Sequence, residues 1–323
     1  MFVLLTGAFG NIGESTLIAL LERNHRVRCF DLQTKRNEKK QKQLQRIGEF
    51  ETIWGDILDS EVVTDAIKDI EYIIHLAAII PPMSDQNPDL TFRVNVDGTR
   101  NIINAAEGSP KKPKLIIASS VSIFGPTMHL QPPRGASDPV NPTDIYTQTK
   151  TKCETMIRES TIPWTILRLT AVPPLDVNSD ISVMFEIPLD QRIEFVHTRD
   201  VGVAFANSVT AETQGKTLQI GGGKDSQMLQ IDFIRRILAA SGLDLPPEEA
   251  FRTPSKPEEY FYTDWLDTEE SQRLLQYQNR TFDEYIEEIK SSLGFKRYFA
   301  KLFKGLAMKK IVASSPYLAK KEN

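Results

Sequence analysis

Apolar residues in this chain gather in short runs, and between the runs they recur at helical spacing. The runs Phe2–Leu5, Arg26–Phe30, Phe50–Trp54, Tyr72–Leu76, Lys114–Ala118, Thr165–Leu169 and Lys216–Ile220 read as strands. Amphipathic stretches separate them: Asn11 to Arg23, Ser60 to Lys68, Asp89 to Glu107, Thr143 to Glu159, and a helix from Arg199 or Asp200 through Val209. Strands alternating with helices predict an α/β architecture built on a doubly wound parallel sheet. Later elements predict a smaller α/β lobe. They are a strand at Ile193–Val196, a helix from Gln227 to Ala240 ended by Gly242, and a loop-rich stretch from Pro246 to Tyr262. A helix to Leu275 capped by Asp267 or Thr268 follows, then one from Phe282 to Leu293 capped at Thr281. The expected organisation is a first lobe at 1–170 with elements returning from about 193–220, a second lobe at 171–294, and a basic amphipathic tail at 295–323.

The first strand runs into Thr6-Gly7-Ala8-Phe9-Gly10-Asn11-Ile12-Gly13. Gly7 permits a tight bend, Gly10 holds no side chain against an approaching pyrophosphate, and Gly13 lets the next helix pack closely on the strand. The amides and dipole of that helix N-terminus then face the phosphates. Gly7, Phe9, Gly10, Asn11, Ile12 and Gly13 are therefore candidate dinucleotide contacts, and the sheet is expected to be of Rossmann type with 1–170 as the dinucleotide-binding domain.

Asp31 ends the second strand, 18 residues after Gly13. There it can accept from both hydroxyls of an adenosine ribose and repel a 2′-phosphate, which favours NAD over NADP. The alternative is a turn-forming aspartate. Lys35, Arg36, Lys39, Lys40, Lys42 and Arg46 follow it and read as a solvated face, with an NADP phosphate clamp as the alternative. Asp56 and Ile57 are placed for the adenine amino group and ring, or for a plain turn. Leu76, Ala77 and Ala78 let the dinucleotide approach closely, with His75 packed beneath it rather than catalytic. Ile79 to Pro88 is a turn-rich loop at a strand's carboxyl end, where substrates bind in open α/β sheets. Asn95 either ties its helix to backbone near the site or is an ordinary surface amide.

Composition narrows the field. With 323 residues, 40% hydrophobic and 25% charged, the chain can form a substantial core and a smaller lobe. A net charge of -4 gives no argument for nucleic acid. Four His and two Cys exclude a metal-rich or disulfide-framed design, and Cys29 and Cys153 read as thiols in a reducing compartment. The first residues form the nucleotide turn rather than a signal peptide, and no apolar run approaches the ~18 residues of a membrane span, so a cytoplasmic location is expected.

The fifth strand leads into Ser119-Ser120, and a proline-rich loop from Pro126 to Pro142 leads into Tyr146-Thr-Gln-Thr-Lys150. Tyr146 and Lys150, four apart, share one helix face. An ammonium near the phenol favours phenolate, as does a positive nicotinamide. The phenolate then serves as base while hydride leaves a substrate carbon, and Ser120 orients the reacting oxygen. Lys150 can also hydrogen-bond the nicotinamide ribose.

Taken together, Gly7 to Gly13, Asp31, Gly55-Asp56-Ile57, His75 to Ala78, Asn95-Val-Asp-Gly-Thr99, Ser119-Ser120, Tyr146 to Lys150, Phe195 to Gly202 and Ile220 to Gly223 resemble a known family. It is the extended short-chain dehydrogenase/reductases, in their NAD-dependent epimerase/dehydratase group, and the likeness spans roughly residues 1 to 292. The resemblance implies Tyr146 as catalytic acid or base, Lys150 lowering its pKa, and Ser120 as third member. It further implies dinucleotide contacts at Asn95 and Ser119, backbone contacts to the nicotinamide carboxamide from Ala171 and Val172, and homodimers packed through two helices per subunit. Sugar-nucleotide dehydratases of the group place an Asp-Glu pair after the catalytic Ser or Thr, where this chain has Val121 and Ser122. Dehydration is therefore not expected, while hydride transfer is left intact.

The expected activity is NAD-dependent oxidoreduction of a secondary alcohol or ketone. An NAD-dependent sugar or sugar-nucleotide epimerase and a non-catalytic dinucleotide sensor are the alternatives. Leu175 to Arg192 is short and acidic, a poor clamp for a nucleotide-sugar diphosphate. Met184, Phe185 and Ile187 read first as core and second as pocket lining. The tail sets eight basic residues from Lys296 to Lys321 against Glu322 alone, with apolar residues interspersed. It is expected to pack on the parent domain or a partner with its lysines in water, and peripheral membrane contact is the alternative.

Overall fold

The computed structural model describes residues 1–174, 183–294 and 303–318. Residues 175–182 of the acidic stretch from Leu175 to Arg192, and Lys296, Arg297, Lys301, Lys320 and Lys321 of the tail, lie outside the described residues. The chain begins β1 (Phe2–Thr6), α1 (Asn11–Glu22), β2 (Arg26–Asp31), α2 (Lys35–Leu44), β3 (Glu51–Trp54), α3 (Ser60–Ile67) and β4 (Tyr72–His75). It continues through α4 (Met83–Gln86), α5 (Pro88–Phe92), a π-helical turn (Arg93–Asp97), α6 (Gly98–Gly108), β5 (Lys114–Ser120), α7 (Ile145–Glu159) and β6 (Trp164–Leu169). There follow α8 (Val183–Glu186), β7 (Arg192–Glu194), α9 (Thr198–Asn207), β8 (Lys216–Ile220), β9 (Gln227–Leu229) and α10 (Gln230–Ala240). The described chain closes with α11 (Glu269–Leu275), α12 (Phe282–Leu293) and α13 (Lys304–Ala313).

Seven strands form one parallel sheet in the order β3-β2-β1-β4-β5-β6-β8. The order reverses between β1 and β4, which opens a crevice at the carboxyl ends of those strands. Helices cover both faces, so β1 is buried throughout, from Phe2 to Thr6. On one face Val3, Leu5, Leu17, Leu20, Phe205 and Leu218 form a core; on the other Leu4, Ile73, Ile102, Leu115, Ile157 and Ile166 do. The doubly wound α/β expectation therefore holds, and α9 and β8 return to the first lobe. At Gly202 a Cβ would stand 2.5 Å from the Ser15 carbonyl group, so this glycine sets how closely α9 crosses α1.

The smaller lobe is built on the antiparallel pair β7–β9 with α10 and α12, around Ile193, Phe195, Phe233, Phe282 and Tyr285. Asp200 joins it to α9, accepting from the amides of Asn279 and Arg280 at 3.0 and 2.8 Å and from the Arg280 guanidinium at 2.7 Å. Met184, Phe185 and Ile187 are buried as core, the first two in a cluster with Ile234, Leu238 and Phe251. The described part of the tail packs on this cluster through Ile311, Tyr317 and Leu318. Ser315 Oγ donates to the Ala250 carbonyl at 2.6 Å and Tyr317 Oη to Glu186 Oε2 at 2.5 Å.

Several local expectations change. Asp89 to Glu107 is not one regular helix, because the π turn at Arg93–Asp97 interrupts it. The loop from Ile79 to Pro88 contains α4. Gln227 does not start a helix: Gln227–Leu229 pairs with β7, and α10 follows. Thr268 precedes α11 without a side-chain cap and accepts from Gln278 Nε2, while Asp267 Oδ1 accepts from the Glu269 amide at 3.2 Å. Thr281 and Glu284 do form a reciprocal capping box on α12.

Glu194, at the end of β7, is fully buried, and three donors converge on it: the amides of Gly223 and Leu266 and the side-chain amide of Gln227. Burial pushes its carboxyl up to about 7, and the Asp264 carboxylate adds to the rise. A carboxyl raised in the fold keeps its proton where the unfolded chain has released it, so stability falls as pH rises from the unfolded value through the folded one. The decline attributable to Glu194 is about 3 kcal/mol across that window. Urea titrations from pH 5 to 8 should show this slope flattened in Glu194→Gln; parallel curves for the two proteins would remove Glu194 as its source.

Candidate active site

The crevice is organised by Thr6. Its hydroxyl accepts from the amides of Leu76 and Ala77, both at 3.2 Å, and lies 2.7 Å from His75 Nδ1. On the far side of the ring, His75 Nε2 lies 3.0 Å from Thr99 Oγ1, which donates to the Asn95 carbonyl at 2.6 Å. That chain of donors assigns the proton to Nε2 and makes Nδ1 the acceptor. Burial lowers the imidazole to about 3, so His75 is neutral and structural, as expected.

Around this hub the glycine turn closes. Gly7 has φ +66°, and a Cβ there would meet the Ala77 amide nitrogen at 2.9 Å, so β1 and β4 approach each other only with glycine at this position. A Cβ at Gly13 would lie 2.1 Å from the Gly7 carbonyl oxygen. Gly10 is exposed and caps α1 with no side chain, which leaves the helix N-terminus bare toward the crevice. Phe9 does not face the crevice: its ring is buried against Phe50 and Trp54, and its amide donates to Asp31 Oδ2 at 2.9 Å. Asn11 is exposed beside it, with Nδ2 3.5 Å from the Val172 carbonyl, and Ile12 is half-buried.

Asp31 stands at the mouth of β2. Leu32 N and Asn37 Nδ2 donate to its other oxygen at 2.8 and 3.2 Å. Three protein donors therefore orient the carboxylate, and it keeps only part of its capacity for a ribose. Asp56 is exposed and accepts from the Leu58 amide at 2.9 Å, which is the turn geometry; Ile57 is buried beneath α6. Ala77 and Ala78 are half-buried along the crevice with Leu76.

Asn95, Ser119 and Ala171 are buried or engaged within the protein. Asn95 lies inside the π turn and is buried; Oδ1 accepts from the Ile79 amide at 2.7 Å, while Nδ2 donates to the Ile79 carbonyl at 2.9 Å and to Thr149 Oγ1 at 3.1 Å. Its side-chain amide ties its own helix to the backbone after β4 and to α7, which is the first of the two readings given for Asn95. Ser119 alternates with Ser120 along β5; it is buried, and its hydroxyl has no hydrogen-bond partner among the described residues. Ala171 is likewise engaged: its amide donates to the Glu194 carbonyl at 3.2 Å and its carbonyl accepts from Val196 at 3.0 Å.

The three chemical residues do converge. A capping box at Asp144 and Thr147 starts α7, and Tyr146 and Lys150 occupy one face of it, with Lys150 Nζ 5.8 Å from the Tyr146 ring centroid. Ser120 ends β5 alongside; its hydroxyl accepts from Ser122 N at 3.2 Å and lies 2.7 Å from Ser122 Oγ. Burial pushes the Tyr146 phenol up to about 12, Asp144 adds to the rise, and the Ser120 hydroxyl opposes it. Lys150 Nζ is buried and donates to the Ala118 carbonyl at 2.9 Å, and burial lowers its own pKa. A positive charge brought into the crevice would favour the phenolate.

What sequence reading missed is the clamp behind α7. Arg168 on β6 donates from Nε and Nη2 to the two oxygens of Glu154 at 2.9 and 2.8 Å, and Arg158 adds a bond at 2.8 Å. Both partners of the central pair are buried. The signal was visible as an arginine in the middle of the apolar run Trp164-Thr-Ile-Leu-Arg168-Leu169.

A pocket of about 420 Å³ opens beside the N-terminus of α7, lined by Pro81, Pro82, Tyr260, Phe261 and Tyr262 and by the carboxylates of Asp85, Asp144, Glu186 and Glu258. Arg252 is the basic residue among its described lining. His197 caps α9 through Nδ1, and burial lowers it to about 4, which fits a structural role. Among the described residues no cluster of three or more His, Cys, Asp or Glu could hold a metal.

The family model described as "NAD dependent epimerase/dehydratase family" matches residues 3–174. Curated relatives include a 3-beta-hydroxysteroid dehydrogenase of Mycolicibacterium neoaurum, 30% identical over 160 residues, covering 48% of this chain and 42% of that protein. Another is the sterol-4-alpha-carboxylate 3-dehydrogenase, decarboxylating, of Homo sapiens, 28% identical over 171 residues, covering 52% and 42%. The match thus spans about two fifths of the length of those relatives. Among solved structures, UDP-glucose-4-epimerase from Stenotrophomonas maltophila with bound NAD and formylated UDP-arabinopyranose aligns with TM-score 0.76 at 17% identity, covering 94% of this chain and 99% of that one. At this identity the likeness concerns the fold.

Proposed function

Because the chain belongs to the NAD dependent epimerase/dehydratase family, we propose that it is an NAD-dependent oxidoreductase interconverting a secondary alcohol and its ketone on an apolar, uncharged substrate. The pocket beside α7 carries this reading. A nucleotide-sugar diphosphate calls for convergent Arg and Lys donors; here prolines and aromatic rings are set among four carboxylates and one arginine. The Phe261 and Tyr262 rings, stacked with centroids 4.1 Å apart, add apolar surface to the pocket that suits an apolar ring system. The sterol and steroid dehydrogenases among the relatives support the same direction.

The crevice suits a dinucleotide: glycine where a Cβ would collide, a bare helix N-terminus for the pyrophosphate, and an oriented Asp31 for a ribose. Bound there, NAD would supply the hydride acceptor and a positive ring charge that favours the phenolate. Tyr146 Oη then takes the proton of the substrate hydroxyl, or returns it to a ketone oxygen. Ser120 Oγ holds that oxygen by a hydrogen bond, and Lys150 sits behind the phenol to bind the ribose.

The test is to incubate the protein with NAD and a panel of hydroxysteroids and UDP-sugars. Reduced nicotinamide should accumulate over many turnovers with the apolar alcohols. Conversion of a UDP-sugar without net reduced nicotinamide would assign the epimerase reading instead. A further expected result concerns Asp31→Ala, which removes the carboxylate facing a 2′-phosphate. Titration by protein fluorescence should show the preference for NAD over NADP falling by roughly tenfold to a hundredfold, the size of one lost charge contact; an unchanged ratio would remove Asp31 as the selector.

A further inference from the structure

The described tail has two faces. One is accounted for: Ile311, Tyr317 and Leu318 join the core of the smaller lobe, Ser315 and Tyr317 bond to it, and Lys304 pairs with Asp244 at 2.5 Å. The other points to solvent. Phe303 and Leu306 are 56% and 70% exposed, among the most exposed large apolar side chains described. Lys309 and Lys310 are exposed on α13 one turn further along. Phe303, Leu306 and Lys310 fall at positions that share a helix face. This arrangement of two apolar anchors followed by lysines belongs to a chain whose basic excess is concentrated at this end, with eight Lys and Arg against one Glu from 295 to 323, while the whole is net -4.

We propose that this outward face of α13 is a docking surface for an anionic lipid membrane, with Phe303 and Leu306 entering the headgroup boundary and Lys309 and Lys310 meeting the lipid charge. The occupant follows from charge complementarity. A neutral protein partner gives no reason for the lysines beside the apolar pair, and a second copy of this chain would bring a net negative charge without the membrane's apolar depth. The inner face supplies the rigid mount, because the hydroxyl of Tyr317 holds Glu186, which lines the pocket beside α7 together with Arg252. The docking surface thus lies on the same lobe as the pocket mouth. Delivery of an apolar alcohol from the bilayer to that pocket rests on the proposed function; the docking surface does not.

The test is sedimentation of the full-length protein with vesicles of phosphatidylcholine alone and of phosphatidylcholine mixed with phosphatidylserine, at low and high salt. The full chain should pellet with the mixed vesicles, less so at high salt, and little with phosphatidylcholine alone. Lys309→Gln with Lys310→Gln should weaken partitioning roughly 25-fold, about fivefold for each lysine charge lost. Phe303→Ser with Leu306→Ser should weaken it at least tenfold. All four side chains are outside the core, so thermal midpoints should stay near that of the parent. Failure of the parent to pellet, pelleting of both double variants equal to that of the parent, or a change in subunit association without a change in pelleting would each overturn the proposal. Turnover of soluble substrates is read separately, so an inactive protein that pellets would contradict the proposed function and leave the membrane surface standing.

Discussion

Replacing Tyr146 with phenylalanine is expected to lower turnover by about 10²- to 10⁴-fold, the usual contribution of a positioned acid or base, with dinucleotide affinity little changed. The ring of Tyr146 would stay in place, since its packing on α7 and the capping box at Asp144 do not involve the hydroxyl. What disappears is the phenol oxygen on the helix face shared with Lys150, near Ser120. Calorimetric or fluorescence titration with NAD separates binding from chemistry. Normal turnover in this variant would mean that the proton leaves by another route.

The second large effect is on stability. Glu154→Gln is expected to cost about 3–5 kcal/mol, because it leaves the Arg168 guanidinium buried without its carboxylate. Arg168 would retain its bond to the Ala136 carbonyl at 2.8 Å and its position over the Phe124 ring, which is not enough to replace an ionic partner. Whole-domain stabilities of roughly 5–15 kcal/mol make that a large fraction of the total. Urea unfolding gives the figure directly. Replacing both partners with methionine should cost much less than the two single changes added together, since no charge is then stranded. A loss below about 1 kcal/mol in Glu154→Gln would show that the pair does not fix α7 against β6.

These two predictions draw on different kinds of information. Tyr146, Lys150, the glycine turn and Asp31 could be read from the chain because each depends on spacing within one element or across one strand–helix unit. The parallel sheet and the return of α9 and β8 followed from the alternation of runs. Glu154 and Arg168 could not be paired from sequence, because they meet only when α7 lies across β6. The π turn at Asn95 was hidden for a related reason: its cause is a set of bonds to Ile79, 16 residues earlier, rather than any local helix breaker. The i to i+4 spacing of Tyr146 and Lys150 says that the two side chains share a face but not where the ammonium bonds. Here it points to Ala118. Glu194 and Arg168 share one trait that is legible in a bare sequence: a charged residue inside an apolar strand run, which calls for a buried partner even where that partner's identity is hidden.

The proton chemistry assigned to Tyr146 is tested most directly by the pH dependence of alcohol oxidation with NAD in the wild-type protein and in Tyr146→Phe. A base must be unprotonated to act, so the wild-type rate should rise with pH along an acid limb and level off, and ketone reduction should fall over the same range. In Tyr146→Phe the residual rate should be independent of pH through that region. The same limb in both proteins would place the ionisation on another group and contradict the assignment.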